Sequence, residues 1–126
     1  MNKSQIINKM IAVIKDYAEK YKLEVSAPVY GEAFKNSIWE GLIEDDSNIP
    51  NIVATNEDMI VELRSFWENP ELSVRRDSGL LVLLYKENSQ THQYEVSEFR
   101  VGGFDYLSKI EELESIIKFI ENEESL

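Results

Sequence analysis

The chain has no cysteine, a single histidine, three prolines and five glycines in 126 residues. Without cysteine it can build neither a disulfide framework nor a cysteine–zinc centre, and it has no thiol nucleophile. Its one histidine, His92, sits in the polar stretch Asn88–His92, with nothing in the local sequence to position it as a catalytic base. No G-x-S-x-G elbow supports a serine hydrolase. Gly102-Gly103 belongs to no phosphate-binding loop and reads as a turn. Basic side chains are scarce, 13 against 24 acidic, for a net charge of −11. A general nucleic-acid binder needs the opposite balance. Long apolar runs are also missing: the longest, Leu80 to Tyr85, is far short of the roughly 18 residues of a membrane span. The start, Met1-Asn2-Lys3-Ser4-Gln5, leads into no signal-peptide pattern. What remains is a chain that is 43% hydrophobic and 10% aromatic. That is enough to fold rather than stay disordered. The expectation is one cytoplasmic domain over residues 1–126, with no membrane or nucleic-acid contact, and a frayed tail at 122–126.

The apolar spacing predicts a helix over about 4–22, with Ile7, Met10, Ile11, Ile14, Ala18 and Tyr21 on one face. Leu23 to Tyr30 alternates as a strand, and Pro28 places it at a sheet edge. Residues 31–54 fit either two short strands or a helix over 32–43 followed by a short strand at 51–54, and the second reading is slightly favoured. A middle helix is expected over about 56–68. Thr55 or Asn56 would cap it, Met59, Ile60, Leu63, Phe66 and Trp67 would form its buried stripe, and Asn69-Pro70 would end it. Strands follow at 71–76, 80–86 and 93–101, with a tight turn at Asp77-Ser78-Gly79. The middle one of these, apolar at both parities, is covered on both faces. In the last, a switch of parity implies a bulge near Ser97-Glu98. A final helix is expected over about 108–122, opened by a Ser108/Glu111 capping box. The fold class read from this pattern is α+β: N- and C-terminal amphipathic helices and a middle helix packed on a small, mostly antiparallel sheet.

The charge is uneven. Residues 31–70 hold two basic and nine acidic side chains, and residues 105–126 two basic and seven acidic, whereas residues 1–30 hold five basic and three acidic. An acidic surface of this kind steers a basic partner toward it. Asp45-Asp46-Ser47-Asn48 is not a calcium loop, because the sixth and twelfth positions counted from Asp45 are Pro50 and Asn56 rather than Gly and Glu. Arg75 and Arg76 point to opposite faces of their strand, so one of them is expected to pair with a carboxylate of a covering helix. Trp39, with Glu40, Glu44, Asp45 and Asp46 close by, combines an aromatic anchor with acidic neighbours and is the expected partner-binding set.

No cofactor, metal ligand set or catalytic constellation emerges, and the reading is of a binding protein rather than an enzyme. The expected role is an immunity protein or antitoxin of bacterial type that covers the basic active-site cleft of a toxin such as a nuclease. It would act as a monomer or homodimer. Two alternatives share the composition: an effector-binding chaperone like those of type III secretion, compatible in element order and length, and a phage-encoded inhibitor that mimics nucleic acid.

Overall fold

The fold is described from a computed structural model over residues 1–27 and 49–122. Helix α1 spans Lys3–Tyr21. Six strands follow among the described residues: β1 Glu24–Ser26, β2 Ile52–Thr55, β3 Met59–Phe66, β4 Asn69–Arg76, β5 Gly79–Glu87 and β6 Tyr94–Gly103. Helix α2, Tyr106–Glu121, closes the described chain. The strands form one sheet in the order β1-β2-β3-β4-β5-β6, antiparallel throughout.

α1 begins in a reciprocal cap that the sequence reading did not identify. The Asn2 Oδ1 accepts from the Gln5 N–H at 2.9 Å, and the Gln5 Oε1 accepts from the Asn2 N–H at 2.8 Å. Two otherwise unpaired first-turn donors are thereby satisfied. Along α1, Ile6, Ile7, Met10, Ile14 and Tyr17 are buried. They lie on Ile52, Ala54, Val61, Leu63, Leu72 and Val74, which alternate along β2, β3 and β4 on a single face of the sheet. α2 adds Leu113, Ile116 and Ile120 over Leu81, Leu83 and Tyr85 of β5. Both helices therefore cover one face, and their stripes and the strand alternation meet in one core.

The expected middle helix over 56–68 is absent. Its residues form the β2–β3 turn, β3 and the next turn. In β3, Met59, Val61 and Leu63 are buried while Ile60 and Arg64 are exposed, a period of two rather than 3.6. Asn56 does use its side-chain oxygen to accept first-turn N–H groups, from Asp58 at 2.7 Å and Met59 at 2.9 Å. The result is an Asx turn closed by Asn56 N–H to Met59 O, not a helix cap. Trp67, expected in the core, is 84% exposed. It forms with Glu68 a two-residue hairpin turn in which both have positive φ, 51° and 66°. That twist joins antiparallel strands well, but its usual Asn-Gly signal is missing here. Pro70 lies beside the closing Phe66–Asn69 pair, before the β4–β5 ladder begins at Glu71–Leu84, so its missing donor interrupts no bond between those strands.

Other expectations hold. The β2 strand, the Asp77-Ser78 turn and the covered β5 are present, with Val82 and Leu84 buried on the face away from the helices. The bulge falls where expected: Glu98 pairs with Leu84 and Val96 with Tyr85, which leaves Ser97 over. Among the described residues β1 is an edge strand. α2 starts two residues earlier than expected, and Asp105, in the left-handed region, makes no capping bond in place of the Ser108 box. The expected helix at 32–43, Pro28 and the tail beyond residue 122 lie outside the described residues.

Candidate functional site

Trp39, Glu40, Glu44, Asp45 and Asp46 all lie outside the described residues, so the chemistry is built from the rest of the chain. Two places stand out.

The first is a groove of about 610 Å³ between the helices, lined by Val13, Tyr17, Tyr21, Glu112, Ile116 and Phe119 among others. Glu112, which lines it from α2, meets Arg76 at the end of β4 in a two-pronged pair. Nη1 donates to Oε1 at 2.9 Å and Nη2 to Oε2 at 2.8 Å. This is the expected pairing of one strand arginine with a covering helix, and the parallel fork is the strong form of the interaction. Tyr17 donates its hydroxyl to Glu112 Oε2 at 2.6 Å. The guanidinium lies 5.8 Å from the Tyr21 ring centroid, and the Tyr17 and Tyr21 rings are 5.7 Å apart.

The electrostatics of this network are consistent. Burial pushes the Tyr17 hydroxyl above its ordinary range, and its bond to Glu112 adds to that. The bond to Glu112 raises Arg76 against the opposing effect of burial. Burial alone would raise Glu112, but the hydrogen bonds from Arg76 and Tyr17 overturn it and hold the carboxyl below its ordinary value. A carboxylate ionised this firmly, with Arg76 on one oxygen and Arg76 and Tyr17 on the other, is suited to clamping α2 onto α1 and the sheet. It is a poor proton donor. Two further ties act with it. Lys9 donates to Asn122 O at 3.2 Å, with its Nζ 5.0 Å from the Phe119 ring centroid. Tyr85, fully buried, donates to Glu121 Oε1 at 3.2 Å.

The clamp has a pH signature. Glu112 titrates lower in the folded chain than its ordinary 4.5. Its stabilisation is therefore fully present above the free carboxyl's value and is lost as pH falls through the lower folded value. Glu112→Gln should lose about 1–3 kcal/mol near pH 7. That gap from the wild type should close on acidification below the ordinary carboxyl range, as urea titrations at a series of pH values would record. A gap that stays constant into strong acid would mean the carboxylate is not ionised in the native clamp.

The second place is one end of the sheet. The Met59–Arg76 and Gly79–Gly103 pairings bring the β2–β3 turn, the β4–β5 turn and the exit of β6 to the same end. Phe104 N–H donates to Ser78 O at 2.8 Å, which fixes the chain there. Beyond that bond the side chains turn outward: Phe104 is 82% exposed, Leu107 76% and Tyr106 54%. Glu57, Asp58, Asp77 and Asp105 are exposed at the same end. Strands lie about 4.8 Å apart, so along this rim Asp77 and Asp105 fall nearest the apolar group, and Glu57 and Asp58 lie about three strands further along. The sequence reading did not single out this segment. Its signal was three large apolar residues between the Gly-Gly turn and the expected helix start at 108, where nothing calls for a buried stripe.

His92 lies in the β5–β6 loop with its Nδ1 3.0 Å from Glu87 Oε1, exposed and apart from both places. No group of three or more histidine or acidic side chains that could hold a metal ion occurs among the described residues. No described helix is long and apolar enough to cross a membrane. Comparison with protein-family models, curated proteins and solved structures gives no match to this chain.

Proposed function

We propose that this chain is an acidic protein-binding module that engages a folded partner carrying a basic surface, in the manner of an immunity protein covering the active site of a toxin. The observation that carries the reading is the end of the sheet. Three large apolar side chains stand in water at Phe104, Tyr106 and Leu107, at an end of the sheet that also carries four exposed carboxylates. Exposed aromatic groups supply contact area that is recovered only when a partner covers them, and the acidic rim supplies steering. A toxin that acts on nucleic acid offers the complement, a cationic cleft shaped for phosphates. The net charge of −11 acts in the same direction over longer range.

The test is capture of partners from host lysate at low and moderate salt, followed by kinetics on any stoichiometric basic partner. Phe104→Ala and Leu107→Ala should each weaken binding about tenfold or more, mainly by speeding dissociation. Reversing Glu57, Asp58 and Asp77 to lysine should slow association and flatten its salt dependence. On the sequence reading, Trp39→Ala costs more affinity than a change at Glu40, Glu44, Asp45 or Asp46. If Trp39→Ala abolishes binding while Phe104→Ala and Leu107→Ala leave it intact, the end of the sheet is not the contact surface. Absence of any partner at either salt would count against the binding module and redirect the search to small molecules in the interhelical groove.

A further inference from the structure

Among the described residues β6 ends the sheet, and its outer side is met only at its start, where Tyr94 N–H donates to Met1 O at 2.8 Å. Edge strands of this kind are usually blunted, because their free N–H and C=O groups template pairing with another chain. The bulge at Ser97 blunts the first half of β6, but from Glu98 to Gly103 the register is regular. The ladder fixes which groups are free. Phe104 N–H donates to Ser78 O, so alternation along the strand turns the N–H and C=O of Phe99 and Val101 away from β5. Phe99 is 53% exposed. Glu98 and Arg100, on the opposite face from Phe99, are both exposed, and neither has an ion-pair partner among the described residues.

We infer that β6 pairs with β6 of a second copy of this chain, antiparallel and centred on Phe99, joining two sheets into one. In that register Phe99 faces its own symmetry mate as a hydrogen-bonded pair, and Val101 faces Ser97 of the other copy. Glu98 then lies directly across from Arg100 of the other copy, and Arg100 across from Glu98. The two unpaired charges of one strand thus become two opposite-charge cross-strand pairs, on a face where like charges would repel. A two-fold axis through Phe99 is the self-complementary arrangement that a closed dimer requires. Shifting the centre to Val101 sets Arg100 opposite Gly102 and loses the charge match. The contact is short, so the dimer should be a weak one that dissociates on dilution. This pairing is separate from the acidic end of the sheet and does not depend on the partner reading.

Sedimentation equilibrium of the full chain over a range of protein concentrations tests it, with circular dichroism to verify folding of each variant. The wild type should show a monomer–dimer equilibrium. Glu98→Arg and Arg100→Glu each set like charges across the axis and should weaken the dimer about tenfold or more. Mixing the two variants should restore association as a heterodimer, since every cross-strand pair is then opposite in sign. The double variant Glu98→Arg/Arg100→Glu should dimerise like the wild type. A wild type that stays monomeric at high concentration overturns the inference. So does a dimer indifferent to the single reversals, or a pair of reversals that fails to recover on mixing.

Discussion

Val61→Asp should leave the chain unfolded at room temperature, while Ile60→Asp, one residue away, should change stability by less than about 1 kcal/mol. Val61 is fully buried under α1, opposite Val74, and Ile60 stands 37% exposed on the other face of β3. An ionised carboxylate with no partner at Val61 costs several kcal/mol, against a total of about 5–15 kcal/mol for a domain of this size. The aspartate would have to be protonated or the strand displaced. At Ile60 the same group meets solvent. A helix over 56–68 reverses the order, because its stripe buries Ile60 and exposes Val61. Urea unfolding of the two variants separates strand from helix without any structure determination. A stable Val61→Asp beside an unfolded Ile60→Asp would refute β3.

That reversal also shows why the middle helix was expected. Met59 and Leu63 are apolar in both periods, and the decision fell to Ile60, Phe66 and Trp67 on one side and Val61 on the other. The flanking residues did not help, because they are chemically ambiguous. Asn56 accepts N–H groups two and three residues ahead whether the chain then winds or turns back. Asn69-Pro70 stops a helix as readily as it starts a strand beside a hairpin. Trp67 and Glu68, both with positive φ, are residues that pattern reasoning does not place in such a turn. Where the two periods do not overlap the sequence was readable. The α1 stripe, the doubly buried β5 and the parity switch at Ser97 each admitted one structure. The clamp was half legible: the parities of Arg75 and Arg76 required a partner for one of them. Choosing Glu112 among the seven acidic residues of 105–126 needed the angle at which α2 crosses the sheet. The exposed Phe104 and Leu107 were not legible from amphipathic spacing, which finds buried faces and is silent on apolar residues that stay in water.

Gly103→Ala should destabilise the chain by about 3 kcal/mol, from a left-handed backbone costing about 1–2 kcal/mol and a clash costing about 1–3 kcal/mol. Gly103 has φ +99°, and a Cβ there would stand 2.2 Å from Ser78 O and 2.5 Å from Gly79 Cα. Its partner across the ladder is equally confined: a Cβ on Gly79 would stand 2.2 Å from Gly102 O and 2.5 Å from Lys109 Cε. The two glycines let the backbones of β5 and β6 close on each other and let the buried Lys109 lie across them to reach Ser78 Oγ at 3.4 Å. Gly102 is the internal control. A Cβ there meets nothing within 4 Å, so Gly102→Ala should be neutral or slightly stabilising through the unfolded chain. Thermal unfolding of the three alanine variants should therefore rank Gly102 far above Gly79 and Gly103. The effect reaches beyond stability, because the Phe104 N–H bond to Ser78 O lies next to the Gly79–Gly103 pair. Opening this corner frees Phe104 and the start of α2 together. A Gly103→Ala chain kept folded at low temperature should then bind the proposed basic partner more weakly than Gly102→Ala, with every acidic side chain still in place.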